Sequence, residues 1–146
     1  MSDLVVVDAS LAVKWLVDED HSDRADALLQ AWSREGIRLA APSILPAEVT
    51  NALHRRIVRG ELTVEVATGL IERLSARVEL YEAPGLHARA LRLASELGQG
   101  AAYDSHYLAL AEALECEYWT ADERFWRAAS TSFDLVHSLS EVEAPD

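Results

Sequence analysis

Short apolar runs of strand length alternate with longer stretches of helical periodicity along the whole chain, and this alternation limits the fold more than any other feature. LVVVD (4–8), IRLAAP (37–42), VELYEA (78–83), a run inside ECEYWTAD (115–122) and SFDLVHS (132–138) read as strands. Between them lie helical patterns at 10–17, 21–36, 46–60, 63–75, 85–97, 101–114 and 122–129. In the second of these, Ala25, Leu28, Leu29 and Trp32 repeat at helical spacing and Gly36 marks the end. Strands joined through helices cannot pair as hairpins, so the connections are crossovers and the sheet is parallel. The expected class is α/β, a three-layer α/β/α sandwich around a parallel sheet of about five strands. With 146 residues, half of them hydrophobic, and no long linker or repeat, residues 1–146 are expected to form a single domain.

Several function classes drop out on composition. The one cysteine, Cys116, excludes an internal disulfide and a cysteine-rich zinc site, and its apolar neighbours make it a core residue. No apolar stretch approaches the roughly 20 residues that span a bilayer, and the N-terminus lacks the pattern of a signal peptide. The expected location is cytoplasmic, with no membrane partner. A net charge of −12 opposes nucleic-acid binding in general, so any such role must rest on local charge. Lys14 is the one lysine; the other basic residues are arginines, and Arg55, Arg56 and Arg59 cluster.

Four acids stand where a parallel sheet gathers its ligands, beyond the carboxyl ends of the strands. Asp8 ends the first strand, with Ser10 the expected helix cap. Asp122 follows YWTA at the end of the fourth, Asp104 begins the helix before it, and Glu48 lies in the first turns of the helix after the second. An acid near a helix N-terminus is stabilised by the dipole for structural reasons alone, so each has a purely structural reading. Like charges held close raise one another's pKa unless a cation neutralises them, and oxygen ligands select magnesium or manganese.

VVVDAS, PAEVTNAL, AAYDSHYLALAEAL and WTADERF resemble the four signature regions of PIN-domain ribonucleases, specifically the VapC toxins of bacterial toxin–antitoxin pairs. The resemblance runs from residue 4 to about residue 136, and all four acids agree with it in order and spacing. It implies that Asp8, Glu48, Asp104 and Asp122 are catalytic and bind the metal, Mg²⁺ or Mn²⁺, with Ser10 and Thr120 in support. Ser105 stands where alanine is expected. The implied activity is endoribonuclease hydrolysis by metal-activated water, with no Ser, His or Cys nucleophile. The implied partners are an RNA substrate, a VapB-like antitoxin and a second copy of the chain in a homodimer.

The remaining features carry weaker expectations. Glu48, Asn51, Arg55 and Arg59 share one helix face, with Val49, Leu53 and Ile57 on the neighbouring, inward one. Arg55, Arg59 and Lys14 are candidate phosphate contacts, against surface solvation or partner binding. His106 and most of Trp15, Trp32, Trp119 and Trp126 are expected in structural roles. Ile57, Val58, Leu62, Val66 and Leu70 offer more apolar surface than a helix pair needs, so some should meet a partner. The antitoxin is expected to lay an apolar helix beside them and to push a basic side chain among the four acids. Two other readings stay open. One is a metal-dependent phosphatase on a similar sheet, although Ser10 stands where the haloacid-dehalogenase signature has a second aspartate. The other is a non-catalytic PIN-like module that captures an arginine-bearing partner.

Overall fold

A computed structural model describes residues 2–145, so residues 1 and 146 of the expected domain lie outside it. Five strands form one sheet: β1 (Leu4–Val7), β2 (Arg38–Pro42), β3 (Val78–Tyr81), β4 (Glu117–Thr120) and β5 (Val136–Ser138). Their order is β3-β2-β1-β4-β5, and every pairing is parallel. Seven α-helices supply the crossovers: α1 (Ala9–Leu16), α2 (Ser22–Glu35), α3 (Leu45–Val58), α4 (Val64–Arg77), α5 (Leu86–Glu96), α6 (Tyr103–Leu114) and α7 (Glu123–Ala129). The architecture is the α/β/α sandwich expected of the alternating pattern.

β1 is the central strand, which is why its sequence is unbroken valine. Val5, Val6 and Val7 are all buried, with β2 on one side and β4 on the other. α1 to α4 pack on one another, α5 packs on α6, and α6 lies against β1, β2 and β4. The apolar face of α3 falls as its periodicity requires, with Val49 and Leu53 buried and Ile57 partly so. Trp32 is buried and meets Trp15 and Trp119 edge to face, at centroid separations of 6.3 and 5.9 Å. Cys116 is buried, and burial pushes its thiol up to about 11, so it is no nucleophile at neutral pH.

Three expectations need correction. Ser10 does not cap α1; the chain turns helical one residue after β1, so Asp8 is the cap and Ser10 lies inside the first turn. The last strand begins at Val136, because the amides of Ser132 and Phe133 are spent on the Ala129 carbonyl at the end of α7. Leu70, counted among the apolar residues left for a partner, is in the core, whereas Val58 and Val66 are 73% and 53% exposed.

The order of the strands fixes where a ligand can sit. From β1 the chain winds outward to β2 and β3, then returns to the other side for β4 and β5, so the winding direction reverses between β1 and β4. At such a reversal the crossovers diverge and leave a crevice at the carboxyl ends of the two strands.

Ser105, on α6 beside that crevice, is fully buried, and its hydroxyl has no hydrogen-bond partner among the described residues. An unmet buried hydroxyl costs roughly 1–3 kcal/mol, so Ser105→Ala is expected to raise unfolding stability by about 1 kcal/mol. Urea denaturation measures this. A loss of stability would mean that the hydroxyl has a partner.

Candidate functional site

The first carboxylate is fixed before the others are added. Asp8 extends the rigid β1, caps α1 and is only 2% exposed. One of its oxygens, Oδ1, accepts the Leu11 amide at 3.1 Å and the Ser10 hydroxyl at 2.6 Å. The other, Oδ2, accepts the Tyr118 hydroxyl at 2.7 Å and the Thr120 hydroxyl. Four donors fill the roughly four lone-pair positions of a carboxylate. Ser10 Oγ also accepts the Ala121 amide at 3.0 Å, and Thr120 Oγ1 accepts that of Asp122 at 3.0 Å. These two hydroxyls therefore stitch the exit of β4 to the exit of β1.

The other three acids approach from separate elements. Asp122 caps α7, its Oδ1 accepting the Phe125 amide at 3.1 Å. Glu48 lies in the first turn of α3, and its Oε1 accepts the Tyr107 hydroxyl at 2.6 Å. Asp104 lies in the first turn of α6. All three are partly buried.

Proximity shows in their protonation. Burial, reinforced by the charges of Asp8, Asp122 and Glu48, pushes the Asp104 carboxyl up to about 7. Burial also raises Glu48; the charge of Asp8 adds to this, while the Tyr107 hydrogen bond and His106 oppose it. Asp8 is raised because burial outweighs its four hydrogen bonds. No salt bridge among the described residues involves any of the four. The cluster thus carries a charge that the protein does not balance with a cation of its own. Its donor set is all oxygen, which fits a hard divalent ion. Among the described residues, however, no three His, Cys, Asp or Glu side chains already converge as a coordination shell. Both oxygens of Asp8 and one of Glu48 are engaged by hydroxyls.

Two residues that the sequence reasoning passed over hold this arrangement. Tyr107 and Tyr118 are both fully buried and stack at 5.8 Å with an 18° interplanar angle, one bound to Glu48 and the other to Asp8. A signal existed for each. Tyr107 stands three residues after Asp104 on one helix face, and Tyr118 shares a strand face with Thr120. His106 makes two contacts. Its Nδ1 lies 2.8 Å from the Ala102 carbonyl and so carries the proton, leaving Nε2 to accept from His87 Nδ1 at 3.0 Å.

Glu48, Asn51, Arg55 and Arg59 line one open cleft of about 570 Å³, together with Ser10, Lys14 and Arg56. Two of the three candidate phosphate contacts are already paired there: Lys14 Nζ with Glu19 at 3.3 Å and Arg59 with Glu61 at 3.2 Å. Arg55 is exposed, with no ion pair or side-chain hydrogen bond among the described residues. A cleft of similar size, about 580 Å³, opens at the opposite end of the sheet, around Leu4, Val5, Cys116 and Glu117. It contains none of the four acids.

A family model described as the PIN domain matches residues 5–130. VapC ribonuclease Mb0985 of Mycobacterium bovis is 33% identical over 124 residues, covering 83% of this chain and 87% of the relative. Ribonuclease VapC9 of Mycobacterium tuberculosis matches with the same identity and coverage.

The raised carboxyl of Asp104 makes stability depend on pH in a definite direction. Between 3.8, its ordinary value, and about 7, the folded chain binds more protons than the unfolded one, so stability falls as pH rises through that window. Asp104→Asn should raise stability at pH 8 in metal-free buffer by about 2 kcal/mol, allowing for screening of a partly exposed group. Below pH 4 the gain should vanish. Asp8→Ala should do the opposite, costing about 3 kcal/mol by orphaning four donors. Thermal melts across pH check both, and a gain from Asp104→Asn that does not change with pH would contradict the assignment.

Proposed function

The chain belongs to the PIN-domain family, VapC type, and from this we propose a metal-dependent endoribonuclease, the toxin of a toxin–antitoxin pair. The observation that carries the reading is the unbalanced group of four carboxylates at the crevice between β1 and β4. A purely structural cluster of caps would not be expected to draw Glu48 and Asp104, on two further helices, into mutual repulsion. Asp8, Glu48, Asp104 and Asp122 are proposed to hold Mg²⁺, or Mn²⁺ in its place. When bound, the ion supplies positive charge against the scissile phosphate and acidifies a water.

The protein's own groups then have distinct tasks. Asp8 gains a free lone pair only if one of its hydroxyl donors turns away, and Ser10, whose hydroxyl also lies 3.3 Å from Thr120 Oγ1, has an alternative acceptor for its proton. Tyr107 holds one oxygen of Glu48 and leaves the other free to act. Burial and the neighbouring acids push the Asp104 carboxyl up to about 7, and it would have to be ionised to serve as a ligand, so metal affinity would fall as pH drops below that value. Arg55 lies in the cleft that Glu48 also lines, so it is proposed to meet an RNA phosphate before Arg59 or Lys14 does. The exposed Val58, Val64 and Val66, where α3 ends and α4 begins, support a protein partner. An antitoxin and a second copy of the chain are both proposed, and the four acids offer an inhibitor's arginine a ready receptor.

The purified protein is expected to cut RNA with Mg²⁺ or Mn²⁺ and to stop in excess EDTA. Asp104→Asn should lower cleavage by roughly 100-fold or more while the fold persists. Arg55→Glu should weaken RNA binding and flatten its salt dependence by about one phosphate contact. Full activity in EDTA, or undiminished cleavage by Asp104→Asn, would overturn the metal-nuclease reading. Metal-dependent RNA binding without cleavage would favour a non-catalytic module.

A further inference from the structure

The cleft beside the acids contains an ion-pair arrangement that the mechanism above leaves unused. Glu19 lies in the loop between α1 and α2 and reaches across to α3. Its Oε1 is 3.3 Å from Lys14 Nζ, and its Oε2 takes a guanidinium nitrogen of Arg56. The side chains of Lys14, Arg56 and Glu19 are only 15%, 19% and 25% exposed, so this is not a casual surface contact. Lys14 is held further by the Asp20 carbonyl at 2.7 Å, and Arg56 by Glu61 at 3.4 Å. The loop is closed by Ser22, whose hydroxyl accepts the Glu19 amide at 3.0 Å and whose own amide donates to the Glu19 carbonyl at 3.1 Å.

We propose that Lys14 and Arg56 form a seat for a backbone phosphate of the RNA, and that Glu19 fills this seat in the free protein as a stand-in anion. A phosphodiester carries one negative charge over two non-bridging oxygens, as Glu19 does over its two carboxylate oxygens, each facing one cation. Exchange therefore swaps like for like: the phosphate takes both cations and the Glu19 side chain swings into the open cleft. The seat opens into the same cleft as Ser10, Glu48 and Arg55, so a phosphate held there lies on a strand passing the four acids. Lys14, Arg55, Arg56 and Arg59 face the cleft against two carboxylates, Glu19 and Glu48. This gives a protein of net charge −12 a locally cationic surface. The Glu19 stand-in spares Lys14 and Arg56 from unpaired partial burial, and it makes occupancy of the seat competitive.

This inference rests on the ribonuclease reading for its ligand, and the test separates the two. Binding of a short fluorescent single-stranded oligoribonucleotide is followed by anisotropy in EDTA, over a series of salt concentrations. Glu19→Gln should bind about five-fold tighter, with a steeper salt slope by about one phosphate contact. Glu61→Gln removes the same charge beside the same arginine but outside the cleft, and should gain less. Combining Glu19→Gln with Arg56→Met should cancel the gain. An equal gain from Glu61→Gln, or a gain that survives Arg56→Met, would overturn the seat in favour of long-range charge alone. Should Glu19→Gln fail to fold, titration of the wild-type protein with inorganic pyrophosphate, read at the Arg56 side-chain and Glu19 carboxyl resonances by NMR, decides instead. Shifts at both support the seat even if the protein cuts no RNA, and their absence overturns it even if it does.

Discussion

Four negative groups around one crevice repel each other, and a chain that keeps them together needs an anchor stiff enough not to yield. That anchor is the hydrogen-bonded carboxylate of Asp8. It stands at the end of a central strand whose valines are sealed between two neighbours, and four donors, two from α1 and two from β4, hold it. The donors do more than satisfy it. Through Ser10 and Thr120 they join the exit of β1 to the exit of β4, which closes the crevice from beneath. The remaining acids can then sit on helix starts, where their backbones are held by α3, α6 and α7 and electrostatic strain falls on protonation instead of on shape. Asp104 carries most visibly the consequence, a carboxyl that is half-protonated near pH 7.

The alternation of apolar runs and helical stretches made the sheet legible, because a buried parallel strand has a simple signature and the crossover rule leaves little choice of topology. The four acids were legible for a related reason, since each marks the end of a strand or the start of a helix. What could not be read was how each acid is held. Ser10 looked like the cap, and only the backbone shows that the helix starts a residue sooner. The parts played by Tyr107 and Tyr118 were hidden, because a sequence shows no contact across 59 or 110 positions. The pairing of Lys14 with Glu19 was hidden likewise, since nothing in the sequence shows that Glu19 turns inward.

Total charge proved a poor guide to local charge. The acidic residues are scattered along the chain, while α3 and its C-cap collect Arg55, Arg56 and Arg59 and α1 adds the one lysine. Ion pairs across a cleft then decide which cations remain available. Arg59 and Lys14 looked equivalent to Arg55 in the sequence, yet among the described residues only Arg55 enters the cleft without an anion attached.

The stacked tyrosines impose a limit on how such a chain can diverge. In many enzymes the packing of the interior and the placement of reactive groups can drift separately, because a layer of ordinary side chains lies between them. Here two of the largest interior side chains are themselves the supports, each with a ring packed in the interior and a hydroxyl on one of the four acids. A replacement that fills the same volume without the hydroxyl preserves the fold and loosens the acid; one that keeps a hydroxyl but shrinks the ring does the reverse. The exposed arginines along the cleft bear no such double duty. Variation therefore has room along the exposed face of α3, whereas the tyrosine pair can change only together with the acids it supports.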